Sequence, residues 1–243
     1  MARKIYVASA RGGAGGTTVC VGLGLALSAA GERTLIVDGD RRQPMALNAA
    51  GCEGLSTFTL EEARKGACRV KQAIVEHPRS ANLSILPCAN VADRKYIPSA
   101  VAEAGEAFDY VLCDGTAVSL CDEAIVVCGP YPADIKGADI CLNELSDMGC
   151  RSARLILNKV SGGLLYDGLI MPPKDIAALL HVELLGVLPE DLALPLGKMR
   201  ADSVKAIKLA AEKLAGRGDK IYSPLRSYLG AAGFFKRKMR GRI

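Results

Sequence analysis

No two cysteines of this sequence stand in C-x-x-C spacing, and only two histidines, His77 and His181, accompany its nine cysteines. The cysteines (20, 52, 68, 88, 113, 121, 128, 141 and 150) are scattered at irregular intervals, mostly inside apolar runs. That pattern excludes a zinc-finger framework and a disulfide scaffold, and predicts reduced, buried thiols of a cytosolic protein. A long hydrophobic run is also missing. The longest, "VCVGLGLALSAA" (Val19–Ala30), fits a buried helix and falls short of a membrane span. The opening "MARKIYVASARGG" has too little apolar sequence for a secretory signal. Half of the residues are apolar and 23% are charged, so a disordered chain is excluded as well.

Net positive charge is missing from the body of the chain and concentrated at its end. Residues 214–243 hold eight Lys/Arg and one acid, a balance of +7 against a total of +5, which leaves −2 on the preceding 213 residues. A broad nucleic-acid-binding face is therefore not expected, and a specific role at the C-terminus is.

Short β-branched runs at 4–10, 34–40, 82–88, 109–115, 123–129, 154–160 and 183–189 predict strands. Helical patterns lie between them, near 17–30, 60–65, 97–107, 133–148, 173–181 and 202–215. Strands that are apolar almost throughout, alternating with helices, predict an α/β fold. It is expected to be a single domain with a doubly wound, mostly parallel sheet and helices on both faces. Ligands of such sheets sit at the carboxyl ends of the strands. The domain is expected over 1–215, a Gly-rich flexible linker over 216–233 and a basic amphipathic tail over 234–243.

The stretch "RGGAGGTT" (Arg11–Thr18) follows the first strand and opens the first helix. Glycines there let backbone amides turn in on an anion, and the helix N-terminus adds positive potential. A plain glycine-rich turn is the alternative. The sequence resembles the MinD/ParA group of deviant Walker-A ATPases, closest to the MinD type. The pieces that carry the resemblance come in the family's order. They are the loop, "TLIVDGD" (34–40), "FDYVLCDG" (108–115), "CDEAIVVCGPYPADIKGADICLNEL" (121–145), "LILNKV" (155–160) and "LLGVLPED" (184–191).

The resemblance implies that ATP or ADP is held by Gly12, Gly13, Ala14, Gly15, Gly16, Thr17 and Thr18. Mg²⁺ would be held by Thr17, Asp38 and Asp114, with Asp40 serving the attacking water. It also implies Asn158 at the adenine edge and Pro189 beside the base. For the aspartates the alternative is a solvated strand-end turn, and for Asn158 a turn-forming residue. Cys128, in "VVCGP", is similar to a cysteine of metal-cluster reductases in the wider superfamily, and a buried thiol is the favoured reading. Arg41 and Arg42 resemble the arginine-bearing motif of bacterial tyrosine kinases; a solvated surface pair is the alternative.

The sequence departs from the family at three places. The Walker lysine position is Gly16. The signature lysine, which in the family reaches the partner's nucleotide across a dimer, is Arg11, expected to serve phosphate charge. Only "GTAVSLC" separates Asp114 from the next strand, so the switch segment is short. Losing the Walker lysine removes a charge-assisted contact worth about 1.5–3 kcal/mol. Hydrolysis is expected to be weak, and a nucleotide-free pseudo-ATPase scaffold is the alternative.

In the tail, Phe234, Phe235 and Met239 interleave with Lys236, Arg237, Lys238 and Arg240. Aromatic insertion with flanking basic charge suits an anionic membrane surface, and MinD proteins end in a similar segment. A disordered basic tail, or one that touches nucleic acid, is the alternative. The expectation is a cytoplasmic protein, peripheral at the inner face of the cell membrane. It would form a homodimer and recruit an unidentified protein partner of division or envelope machinery.

Overall fold

The computed structural model describes residues 2–39, 45–88, 95–104, 107–116, 118–193 and 198–230. In chain order the described elements begin with β1 (Arg3–Ser9), α1 (Gly16–Ala29), β2 (Thr34–Asp38), α2 (Met45–Ala49), α3 (Leu60–Arg64) and α4 (Val70–Ala73). Next come β3 (Val75–Glu76), β4 (Leu83–Pro87), α5 (Ile97–Ala104), β5 (Tyr110–Asp114) and a 3₁₀ turn (Val118–Leu120). They end with β6 (Glu123–Cys128), α6 (Pro132–Asp147), β7 (Ser152–Val160), α7 (Gly162–Tyr166), α8 (Pro173–Leu179), β8 (Glu183–Pro189) and α9 (Ala201–Leu214).

The strands form one sheet in the order β3-β4-β2-β5-β1-β6-β7-β8, with every pair parallel except β3 with β4. The expected strands are present. β3 is an addition, a two-residue antiparallel edge on Ile85 and Ser84, too short to leave a periodic signal. All five residues of β2 and of β5 are buried, as a sheet covered on both faces requires. Along β2 the faces alternate: Ile36 joins the α1/α9 layer with Leu23, Leu27 and Ile207. Leu35 and Val37 join Ile97 and Val101 of α5 on the other side.

Helix α1 is apolar nearly all round because it is wedged between the sheet and α9. Two glycines permit the fit. A β-carbon at Gly22 would stand 2.7 Å from Ile207 Cδ1, and one at Gly24 2.8 Å from Ile36 Cδ1.

The stretch expected as a flexible linker keeps contacts with the domain as far as Tyr228. Tyr222 is buried, and Ser227 Oγ lies 2.5 Å from Asp202 Oδ2. Tyr228 tilts against Tyr166 with ring centroids 6.1 Å apart. Gly162 makes room for this closure: a β-carbon there would meet the Pro224 carbonyl oxygen at 2.5 Å and Tyr228 Cβ at 2.6 Å. Asp40, Arg41, Arg42 and the tail residues Phe234, Phe235, Lys236, Arg237, Lys238, Met239 and Arg240 lie outside the described residues. Among the described residues no helix is long and apolar enough to cross a membrane.

Candidate functional site

Strand β1 sits at the point where the strand order reverses, between β5 and β6, and α1 leaves from its carboxyl end. The connection is tight. Ala14 N donates to the Arg11 carbonyl (3.1 Å), and Gly13 (φ 79°) and Gly15 (φ 95°) take left-handed conformations that only glycine adopts freely. Gly15 is also the N-cap of α1. It brings no side-chain cap, and the first turn holds no acidic residue. The contrast within this fold is α3, whose N-terminus is closed by Thr59 and Glu62. Amides opening a helix have no intrahelical acceptor, so the loop and the first turn of α1 present donors and positive potential to an anion.

Two carboxylates stand beside the loop. Asp38 and Asp114 end the neighbouring strands β2 and β5 in direct register, and both are buried. Asp38 Oδ2 accepts from Ala46 N at 2.7 Å. Gly39 N donates to the Asp114 carbonyl, and the absent side chain of Gly39 leaves space for Thr116, whose buried hydroxyl has no hydrogen-bond partner among the described residues. Cys20, one helical turn on from Thr17, reports how close α1 lies to the pair. Burial, then the charges of Asp114 and Asp38, push its thiol well above the ordinary range. Hard oxygen donors from Asp38, Asp114 and Thr17, together with loop amides, suit a Mg²⁺-bound phosphate. Among the described residues no cluster of three or more His, Cys, Asp or Glu could hold a metal, so phosphate oxygens would have to complete the shell.

A model of the CobQ/CobB/MinD/ParA nucleotide binding domain matches residues 5–204. The chain belongs to that family. Septum site-determining protein MinD of Guillardia theta is 31% identical over 211 residues, which cover 79% of this chain and 76% of that protein. MinD cell division protein of Aquifex aeolicus superposes with a TM-score of 0.81 at 24% identity, over 91% of this chain and all of that one. The same protein in complex with MinC gives 0.79 at 24% identity, over 90% and 98%. Pyrococcus horikoshii MinD, solved with Mg-ADP, gives 0.76 at 24% identity, over 90% of this chain and all of that one.

At Gly16, where the family carries its Walker lysine, a β-carbon would overlap the Ser9 hydroxyl. Arg11, at the signature lysine position, turns back on its own chain. Its Nη1 lies 3.2 Å from Oδ1 of Asp134, in the first turn of α6. Gly129, by lacking a side chain, leaves space for the Asp134 carboxylate.

Asn158 and Pro189 also come to this end of the sheet. Pro189 pairs with Val160 across β7 and β8, and it is half-buried. Asn158 is buried, and its Nδ2 donates to the Ala14 carbonyl at 2.9 Å while its Oδ1 accepts from Lys159 N at 2.9 Å. It therefore ties β7 to the glycine loop, a role that neither expectation for this residue included.

Sequence reasoning missed Ser9, Asp134 and Lys159. Asp134 had a legible signal, an acid two residues after the proline that opens α6. Cys128 is a buried thiol. Burial, then the charge of Asp134, push it up to about 12, and its Sγ donates to the Gly129 carbonyl at 3.2 Å. All nine cysteines are free.

Proposed function

We propose that this MinD/ParA family member binds ATP and ADP with Mg²⁺ on the loop Gly12–Thr18 and hydrolyses ATP weakly. One observation carries the reading: the uncapped N-terminus of α1 opens from a glycine loop beside the register-matched pair Asp38 and Asp114. In this reading the amides of Gly12–Gly16 receive phosphate. Thr17, Asp38 and Asp114 hold Mg²⁺, Asn158 and Pro189 border the base, and Asp40 orients water. Bound Mg²⁺ would neutralise phosphate charge, a share of the stabilisation that the family's Walker lysine normally supplements. Arg11 is available as a replacement cation once its exposed pair with Asp134 opens, because such pairs are weak. The Mg-ADP complex of the Pyrococcus horikoshii relative supports the choice of ligand.

The protein is further proposed to act as a homodimer at the inner face of the cell membrane, held by residues 234–243, and to recruit a protein partner. The basic, aromatic tail supports the membrane assignment, and the MinC complex of the Aquifex aeolicus relative supports a protein partner. Glycine at position 16, in place of the family's lysine, and the short segment after Asp114 favour a second reading, a scaffold of the same fold without turnover.

Phosphate release and vesicle pelleting, measured together with anionic liposomes, test these assignments. ATP-stimulated pelleting that disappears on deletion of 234–243 supports the first reading. Pelleting that ignores ATP, without phosphate release, selects the scaffold. Pelleting unaffected by the deletion overturns the membrane role of the tail.

A further inference from the structure

The phosphate loop contains no lysine, yet a lysine ammonium lies against it from outside. Lys159 Nζ donates to the Gly13 carbonyl oxygen at 2.7 Å, next to the bond from Asn158 Nδ2 to the Ala14 carbonyl. Consecutive residues of a strand ordinarily point to opposite faces, so Asn158 and Lys159 should not reach the same loop. They do so because β7 is irregular at this point. Its pairing with β8 shifts between Leu157 and Val160, and Lys159 has φ 58°, a left-handed conformation that is costly for a lysine. Irregularities of this kind re-aim side chains and concentrate beside active sites. Only one other non-glycine among the described residues, His181, has a positive φ.

Clamping two successive carbonyls has a defined consequence. In a trans peptide the C=O and the following N–H point in opposite directions. Holding the Ala14 carbonyl towards β7 therefore turns the Gly15 N–H towards the interior of the loop. Holding the Gly13 carbonyl outward turns the Ala14 N–H back across it, where it meets the Arg11 carbonyl.

We propose that Lys159 is a positioning residue for nucleotide phosphate. With Asn158 it fixes the loop in its anion-receiving form and places at its rim a positive charge that position 16 no longer supplies. The proposal rests on the reading of Gly12–Thr18 as a phosphate site. The strained conformation persists because it delivers this side chain to the loop.

Amide hydrogen exchange of the full-length, ligand-free protein tests the clamp, and calorimetric titration with Mg-ADP tests its purpose. In Lys159→Met, exchange at residues 12–18 is expected to rise about tenfold or more, while β2, β5 and α9 stay protected. Mg-ADP affinity is expected to fall about 10-fold, at the low end for a hydrogen bond to a charged group. Lys159→Arg should recover most of both. Lys159→Gly, which removes the left-handed strain along with the ammonium, should fold at least as well as the parent and still lose loop protection. Unchanged loop exchange in both Lys159→Met and Lys159→Gly would overturn the clamp, whatever happens to affinity. Wild-type protein that takes up no Mg-ADP would overturn the nucleotide reading instead, and with it the role of the clamp in binding.

Discussion

The hydroxyl of Ser9 occupies the space that a β-carbon at Gly16 would need. The end of β1 and the start of α1 therefore close on each other where the family's lysine stem would pass. The obstruction is one short side chain, and rotation about a single bond can clear it. Gly16→Lys is thus expected to fold and to tighten Mg-ADP binding about 10- to 100-fold, the worth of a hydrogen bond to a charged group. Titration of the variant beside the parent checks this; equal affinities would mean that a lysine at 16 cannot reach phosphate here.

The Asp38–Asp114 pair makes a separate prediction about the cation. Asp38→Asn keeps an oxygen to accept from Ala46 N, so the start of α2 should survive. Without the carboxylate, Mg²⁺ should no longer tighten ADP binding, whereas the metal-free affinity should hold or improve as repulsion of phosphate falls. Titration with and without Mg²⁺ separates the two. A variant that retains the full Mg²⁺ effect would remove Asp38 from the metal site.

Acid sensitivity should come in part from the other end of the sheet. Arg33 grips Asp109 through Nη2 (2.8 Å), Nε (3.1 Å) and its backbone N (2.9 Å), and these bonds hold the Asp109 carboxyl down at about 2 from its ordinary 3.8. The folded value lies below the unfolded one, so the stabilisation is complete above the unfolded value and is lost as pH falls from there through about 2. Asp109→Asn should be less stable than wild type at neutral pH, and the gap should close over that acid window. Denaturant unfolding at several pH values measures it.

Docking of the C-terminal stretch depends on one missing side chain. Gly162→Ala would press on the Pro224 carbonyl and Tyr228, and should release 222–230 from α7. Gly162 is the first residue of a short helix that buries none of its residues, so the domain itself should not weaken. Limited proteolysis should then cut between 217 and 230 in the variant and not in the parent.

The fold was legible because strands such as "TLIVD" and "YVLCD", buried on both faces, leave continuous apolar runs that only a covered parallel sheet explains. β3 was not, since two edge residues carry no period. The glycine loop was legible from its place between a predicted strand and a predicted helix, and the aspartates from the resemblance to the family. The fixing of the loop from outside was not: "NK" closes an ordinary strand in the sequence, and only the left-handed backbone at Lys159 sends both side chains to one loop. The glycine-rich composition of 216–233 suggested a free linker, whereas Tyr222 within it is buried against the domain and the exposed Tyr228 keeps a ring contact with Tyr166.

Calorimetric titration of the wild-type chain with ADP, with and without Mg²⁺, bears most directly on nucleotide binding by a loop without its lysine. Micromolar binding that weakens on removal of Mg²⁺ is expected, carried by loop amides, the aspartate pair and the Lys159 clamp. The absence of binding heat at millimolar nucleotide, with or without the metal, would contradict it and leave the fold as a scaffold.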